Sequence, residues 1–391
     1  MTPIRVLEII NGFALGSRMG GAERFGVELA IHLDPEQIAP IVAGLWEWDP
    51  PVEAQWRTVL KQKGIETVVG PAKDDRAPLR NFVDAVRSIR AQVREPVDII
   101  HSHCDFGDVA AYLLRRPLRV KVLVRTAHNE LEWAKRPWRR WLLVYGLYPF
   151  VYDAELGVST RVVEVLDRRP LARFLRRRGR VTYNAVDLGR FAQRTAADGA
   201  AIRHALGIPP GAPLIGTVGR LTAQKGYHIL LQAAPLVLAQ RPDAHFVIVG
   251  GGEQEAELKA LAHQHGIEPR VHFPGARRDV EAIYPAMDIF VSASLWEGLP
   301  TVIMEAMASG VPVVATRVAG TVELVRHGET GLLVPPNDPT ELAGALLKQL
   351  DQRKQALAMA RAAYDWVDSR FSIQGVARGH ERLYRELLHT R

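Results

Sequence analysis

The feature that most constrains this chain is a rhythm. Short runs rich in Val and Ile recur along its whole length, and longer amphipathic stretches separate them. In the first half the runs are 6–10, 41–45, 98–101, 122–126, 156–159 and 181–184. In the second half they are 214–219, 246–250, 271–275, 289–292, 313–316 and 332–334. Helical patterns such as 22–33 and 79–93 lie between them. Continuous apolar runs suit strands buried on both faces, and a crossover helix is what joins two parallel strands. Two such series predict two doubly wound α/β domains, and 391 residues is the length for two. We expect an N-terminal domain over 1–187, a second over 188–370, and a C-terminal helix over 371–391 that returns to the first. The join falls in 185–213, where 195–201 is small and mostly polar or alanine and Pro209, Pro210 and Pro213 break any helix.

Several classes are excluded early. Hydrophobic residues are 47% and charged residues 24% of the chain, so it can bury a large core and is not a disordered protein. A single cysteine, Cys104, excludes an internal disulfide and a cysteine-rich zinc site, and fits a reducing compartment. The opening MTPIRVLEIING reads as a first strand rather than a signal peptide. The longest stretch free of charge, 204–219, has 16 residues and three prolines, too short for a spanning helix. Charge is uneven: 121–180 holds 14 basic against 6 acidic residues, within a chain of net charge +7.

In open α/β sheets ligands bind beyond the carboxyl ends of the strands, and two domains can turn those edges toward each other across a cleft. Chemistry is therefore expected just after the runs. Glu297-Gly-Leu-Pro-Thr-Val-Ile-Met-Glu305 follows the run 289–292. Pro300 suits the first turn of a helix, whose free backbone N–H groups can receive a phosphate. Glu297 then lies in the loop and Glu305 inside the helix. A routine turn with surface glutamates reads equally well from these residues alone. Gly219-Arg220-Leu221 with Lys225-Gly226 places two cations after a buried strand. Arg forks onto phosphate oxygens and Lys acts as a point charge. Gly20-Gly21-Ala22-Glu23 opens the first helix of the first half, and glycine there allows backbone to approach an anion. Gly250-Gly251-Gly252 lacks the acidic residue that a dinucleotide fold requires, so an NAD site is disfavoured.

Taken together and in order, these motifs resemble the retaining, nucleotide-sugar-dependent glycosyltransferases of the GT-B fold, family 4 type. The resemblance rests on Gly219-Arg-Leu…Lys225-Gly, Val249-Gly-Gly-Gly-Glu253, Glu297 and Glu305, Glu305-Ala-Met-Ala-Ser-Gly-Val-Pro-Val and Gly328-Glu-Thr-Gly-Leu-Leu-Val-Pro335. It implies two Rossmann-like domains facing each other across a cleft. It implies that Arg220 and Lys225 hold the donor diphosphate, that Glu305 grips the ribose and that Glu297 orients hydroxyls of the transferred sugar. Backbone at Leu299, Pro300, Thr301 and Val302 would meet sugar or phosphate. The segment 274–280, with Gly275 and Arg277, would wall the base, and Gly20 and Gly21 would approach the diphosphate. His128 would face the donor sugar, making His128, Glu297, Arg220 and Lys225 the catalytic group. His103 is an acceptor-side candidate. The His101-Ser-His103 pair permits a metal geometrically, but no third ligand is evident, and the resemblance requires neither metal nor cofactor. The expected partners are a UDP- or GDP-sugar and a lipid-linked or polysaccharide acceptor, with no nucleic acid. Two other readings share the fold: a nucleotide-sugar epimerase and a catalytically silent nucleotide-sugar-binding protein.

The basic excess has its own pattern. On an α-helix Trp138, Trp141, Leu142 and Tyr145 would share a face, with Arg136 and Arg140 opposite and Arg139 on the flank. Arg168, Arg169, Arg173, Arg176, Arg177, Arg178 and Arg180 follow. Either the Trp face packs in the core and the arginines stay solvated, or the face meets an anionic membrane surface. A cytoplasmic protein, peripheral on the inner face of a membrane, is the corresponding expectation.

Overall fold

The apolar runs become strands because Val, Ile and Phe pack well on a pleated, two-sided buried surface. The computed structural model describes residues 2–15, 20–133, 136–193, 195–277 and 279–390. Arg278, one residue of the expected base-binding segment, lies outside them. The chain divides into two units. One comprises Met1–Asn184 and Ile373–Arg391, the other Ala185–Ser372. The crossings thus fall after 184 and after 372, where the sequence suggested 187 and 370.

The first unit holds β1 (Ile4–Ile10), β2 (Ile38–Gly44), β3 (Glu66–Val69), β4 (Ile99–Ser102), β5 (Val122–Ala127), β6 (Ala154–Gly157) and β7 (Arg180–Val181). They form one parallel sheet in the order β3-β2-β1-β4-β5-β6-β7. The second unit holds β8 (Leu214–Val218), β9 (His245–Val249), β10 (Val271–Gly275), β11 (Ile289–Ser292), β12 (Val313–Thr316) and β13 (Leu332–Val334). Its order is β10-β9-β8-β11-β12-β13, again parallel. In both sheets the winding reverses beside the first strand, between β1 and β4 and between β8 and β11. These two switch points open crevices at the carboxyl edge.

Most of the expected strands form within a residue or two. β3 escaped the sequence pattern because Glu66-Thr-Val-Val is short, half-exposed and at the sheet edge. β6 and β7 start earlier than the runs 156–159 and 181–184, and β7 is an exposed two-residue edge. The two expected helices form as Gly21–His32 and Pro78–Gln92. Ile215, Phe246, Ile248, Val291 and Val314 meet Leu230, Leu231, Leu342 and Leu346 in the core of the second unit. Each such side chain contributes about 1.5–3 kcal/mol by leaving water.

Charged residues also enter the first unit's interior. Arg125 on β5 is fully buried; its Nε donates to Asp108 Oδ2 at 3.0 Å and its Nη1 to Glu155 at 2.9 Å, while Nη2 lies 2.9 Å from the same Asp108 oxygen as an ion pair. Glu132 also pairs with it, and its guanidinium lies 4.5 Å from the Tyr148 ring centre. Burial opposes the arginine's charge, but Asp108 and Glu155 outweigh it and raise its pKa further. Arg169 joins the network through Glu155 at 2.5 Å. The sequence had grouped Arg169 with solvated arginines; it is buried because this carboxylate compensates its charge.

The Trp segment also differs from expectation. Residues Arg140–Leu147 form a π-helix, not an α-helix. Its wider winding brings residues four and five apart into register. Trp141 accordingly stacks on Tyr145 at 5.1 Å with 29° between planes. Among the described residues no helix is long and apolar enough to cross a membrane.

Candidate functional site

In the second unit, β8 ends at Val218 and the chain turns through Gly219 and Arg220 into a short 3-10 turn, Ala223–Lys225. Gly226 closes that turn at φ 61°, and a Cβ there would stand 2.1 Å from the Ala293 carbonyl. Glycine at 226 therefore lets the Lys225 turn lie against the loop after β11. Across it, Lys225 Nζ donates to Glu297 Oε1 at 2.6 Å. The same oxygen accepts from the Ser294 hydroxyl at 2.7 Å, and Gln224 Nε2 reaches the other oxygen at 3.4 Å. The Leu295 N–H donates to the Gln224 carbonyl at 2.8 Å, joining the two loops through backbone. Glu297 is buried and Lys225 half-buried, so the pair sits where a Coulomb interaction is stronger than in open water. Arg220 is exposed and has no carboxylate partner among the described residues.

The helix Thr301–Ala308 begins directly after this loop, with Pro300 as its N-cap rather than its first residue. Glu305 lies within the helix, buried, and accepts from the Tyr284 hydroxyl at 2.7 Å. Gly275 ends β10 at φ 76°. Arg277 forks onto Asp279, with Nη2 to Oδ2 at 2.6 Å and Nε to Oδ1 at 3.0 Å, so that cation is already engaged. The triglycine 250–252 has a packing role. A Cβ on Gly250 would stand 1.8 Å from the Gly219 carbonyl, and the Leu221 N–H donates to the Gly251 carbonyl at 3.0 Å. It holds the Arg220 turn by close backbone approach, which is why it looks like a dinucleotide loop without being one.

The first unit's switch point has a different chemistry. Glu8 on β1 pairs in register with His101 on β4. Glu8 Oε2 is 2.7 Å from His103 Nε2, and the Tyr384 hydroxyl donates to Glu8 Oε1 at 3.0 Å. His101 Nδ1 is 2.7 Å from that hydroxyl, and its Nε2 is 2.7 Å from Thr126 Oγ1. Tyr384 belongs to the helix Ile373–His389, so the end of the chain locks the first sheet's centre. Burial lifts the Glu8 pKa to about 8, against the pull of His380 and Tyr384. Burial lowers His103 to about 3 and drives His101 well down, the latter helped by the neighbouring His103. The consistent proton arrangement is a neutral Glu8 donating to His103 Nε2 and a neutral His101 donating to Tyr384. His103 Nδ1 then has no hydrogen-bond partner among the described residues.

Glu8 is the third metal-ligand type that the His101-Ser-His103 pattern did not reveal. The three residues present ligand atoms within 4.8 Å of one another. Both nitrogens of His101 are already bonded, so the group is assembled as a proton-sharing cluster and the donor set does not fit a metal well.

His103 and His128 line a cavity of about 260 Å³ with Asn11, Glu23, Asp105 and Glu132. His128 directly follows β5, with ring centres 5.8 Å from His103 and 5.7 Å from Phe25. Burial drives its pKa well down, with His103 adding to the effect and Asn184 opposing it. It is thus held neutral. Gly20 precedes the helix Gly21–His32, and its N–H donates to Glu23 Oε2 at 3.1 Å while Asn11 Nδ2 donates to Oε1 at 2.7 Å. Gly20 and Gly21 are exposed at the same strand edge.

The structure thus brings Lys225 to Glu297, sets Glu305 behind them on Tyr284, and gathers His103 and His128 around Phe25 in the other unit. Glu8, Ser294, Tyr284 and Tyr384 were missed. Only Glu8 carried a signal, as the one charged residue inside the apolar run 6–10.

The chain as a whole has relatives among known proteins. Residues 198–366 match the family model for glycosyl transferases group 1, and residues 19–190 that for glycosyltransferase family 4. The chain is 32% identical over 345 residues to the D-inositol 3-phosphate glycosyltransferase of Corynebacterium urealyticum, across 83% of this chain and 80% of that protein. The chain belongs to the group 1 glycosyltransferases. This glycosyltransferase is also 28% identical to the lipopolysaccharide core biosynthesis mannosyltransferase LpsB of Rhizobium meliloti, over 82% of this chain and 88% of that one. Its fold is similar to the crystal structure of Anabaena Alr3699/HepE in complex with UDP and glucose. The TM-score is 0.82 at 22% identity, with 98% of this chain and 100% of that chain covered. Two Rossmann-like domains with parallel sheets make it a GT-B glycosyltransferase.

Proposed function

We propose that this glycosyltransferase moves a sugar, with retention of anomeric configuration, from a UDP- or GDP-sugar to a hydroxyl of a lipid-linked sugar or a polysaccharide intermediate. It would work as a cytoplasmic enzyme, peripheral at the inner face of a membrane. The observation that carries the reading is the Lys225–Glu297 pair, 2.6 Å apart at a switch point. A nucleotide sugar is an anion joined through one glycosidic bond to a polyol. A cation beside a hydrogen-bond acceptor matches that junction. As the bond breaks, charge builds on the diphosphate, and fixed cations lower the barrier.

In this reading Arg220 and Lys225 hold the diphosphate, and Glu297 orients the sugar hydroxyls. Glu305 accepts from the ribose, and backbone at Leu299, Pro300, Thr301 and Val302 meets sugar or phosphate. Gly275 and Arg277 lie by the base. Gly20, Gly21 and His128 would serve the donor from the first unit, and His103 the acceptor, the motivating feature being its Nδ1, unbonded among the described residues. The reading calls for no metal, because Arg220 and Lys225 would supply the positive charge at the leaving group. The leaving phosphate would help to remove the acceptor proton as the hydroxyl attacks from the same face.

Incubation with each nucleotide sugar, with and without acceptor, tests the reading, and NMR of the product's anomeric proton tests retention. Acceptor-dependent nucleotide release with a retained product is expected. Sugar conversion without acceptor would identify an epimerase instead, and no turnover with tight binding would identify a silent binder.

A further inference from the structure

The structure assigns a membrane-docking surface to the first unit, built from the π-helix Arg140–Leu147 with its leading turn Pro137–Arg139 and from the helix Pro170–Phe174. We propose that this surface seats the enzyme on an anionic phospholipid bilayer.

The apolar part is out in solvent. Trp138 is 63% exposed, Trp141 69% and Leu142 62%, while Val144 and Tyr148 on the other side enter the core. Of the two readings open in the sequence, packing of the tryptophans in the core is therefore wrong. Phe174, 82% exposed, lies on the helix Pro170–Phe174, which packs against the π-helix. Arg169 Nη1 donates to the Val144 carbonyl at 2.8 Å and pins the two elements together. A rigid pair of short helices thus presents indole, leucine and phenyl groups outward.

The charge decides the occupant. Residues 136–152 and 168–180 contain ten arginines and no carboxylate. Some are engaged: Arg169 with Glu155, Arg168 with Glu164, Arg178 with Asp167 and Arg180 with Glu386. Arg136, Arg139, Arg140, Arg173, Arg176 and Arg177 have no carboxylate partner among the described residues. The Arg139 guanidinium lies 5.2 Å from the ring centres of both Trp133 and Trp138, at the boundary of the apolar patch. A second copy of the chain docked through the same face would have to answer unpaired positive charge with carboxylates that this face lacks. Anionic lipid headgroups supply negative charge everywhere, and Trp with Arg is the composition that settles at the headgroup–acyl boundary. The proposal rests on the peripheral placement proposed above and not on which sugar is transferred, so it stands or falls apart from the donor assignment.

Co-sedimentation of the full chain, without donor, is measured with vesicles of phosphatidylcholine containing one third phosphatidylglycerol and with vesicles of phosphatidylcholine alone. Binding to the anionic vesicles, weakened by salt, is expected, with a blue shift of tryptophan emission. The triple substitution Trp138→Ser, Trp141→Ser, Leu142→Ser should weaken binding by about tenfold or more. The triple substitution Arg173→Glu, Arg176→Glu, Arg177→Glu should weaken it by at least roughly fivefold per charge removed. Both sets are exposed, so thermal unfolding and UDP- or GDP-induced stabilisation should match the parent and show that the fold survives. Absence of binding to anionic vesicles at low salt, equal binding to neutral ones, or unchanged binding by both variants would overturn the proposal. So would a dimer in vesicle-free solution that the apolar variant dissolves, since the face would then be a self-interface.

Discussion

The two units wind their sheets in the same way and fill their switch points oppositely. Between β8 and β11 stands a charged pair, Lys225 and Glu297, half-buried at the strand edge beside an exposed Arg220. Between β1 and β4 stands a fully buried cluster of Glu8, His101 and His103, neutralised by desolvation and closed by Tyr384. One crevice keeps charge available for a charged ligand. The other converts its ionisable groups into a rigid, neutral floor beneath the His103–His128 cavity. A shared topology fixes where a site can be, and the degree of burial fixes what chemistry it can do.

The largest test of this contrast concerns Arg125. Arg125→Ala leaves Asp108 and Glu155 buried without their partner, and breaking such a pair costs about 3–5 kcal/mol. Denaturant unfolding should show that loss in the first unit, with UDP or GDP affinity unchanged in the surviving native protein. A loss below about 1 kcal/mol would mean that the network is not the keystone the geometry makes it.

Lys225→Ala and Arg220→Ala should behave in the reverse way. Each should lower the transfer rate by roughly 10²–10³, about 2.7–4 kcal/mol of transition-state stabilisation, while the unfolding midpoint stays near the parent's. Initial rates of nucleotide release report the first and calorimetry the second. Near-normal rates in both would erase the difference between the two switch points.

Within the second unit, Glu305→Ala should weaken free UDP or GDP by about 1–3 kcal/mol, as loss of a buried hydrogen-bond acceptor does. Glu297→Ala should spare free nucleotide and damage transfer, because in the proposed reading its carboxylate meets the sugar and not the nucleotide. Isothermal titration of both variants separates them, and equal loss of nucleotide affinity would show the two roles misassigned.

The smallest effect is a pH slope. Burial lifts the Glu8 pKa from 4.5 to about 8, so the native state holds a proton that the unfolded chain has released. Its contribution is full below pH 4.5 and is lost as pH rises through 8. His103 is lowered from 6.5 to about 3, so its contribution is present above 6.5 and lost as pH falls toward 3. Above pH 7 only the Glu8 slope remains of the two. Stability should drop by roughly 1 kcal/mol between pH 7 and 8 in the parent. Glu8→Gln, neutral at every pH, should flatten that interval. Parallel curves for parent and variant would place a charged Glu8 in the native state.

The sequence by itself determined the two α/β units, nearly all their strands and the places of Arg220, Lys225, Glu297 and Glu305 after the strands, because these follow local rules. Buried parallel strands need continuous apolar runs, and a turn tucked against a neighbouring loop needs Gly226. The place of Glu305 inside its helix was legible for the same reason, as Pro300 marks the start of that helix as its N-cap. What tertiary structure decided is everything that depends on which residues meet across the fold. No spacing in the chain pairs Glu8 with Tyr384, 376 residues away. No local pattern tells that Arg169 is buried while Arg173 is exposed, or that the Trp138–Leu142 turn faces solvent on a π-helix. The sign and size of desolvation are set by neighbours distant in sequence. A charge or an indole in a sequence therefore names a chemistry, and only the packed fold says whether it is neutralised, paired or left free to act.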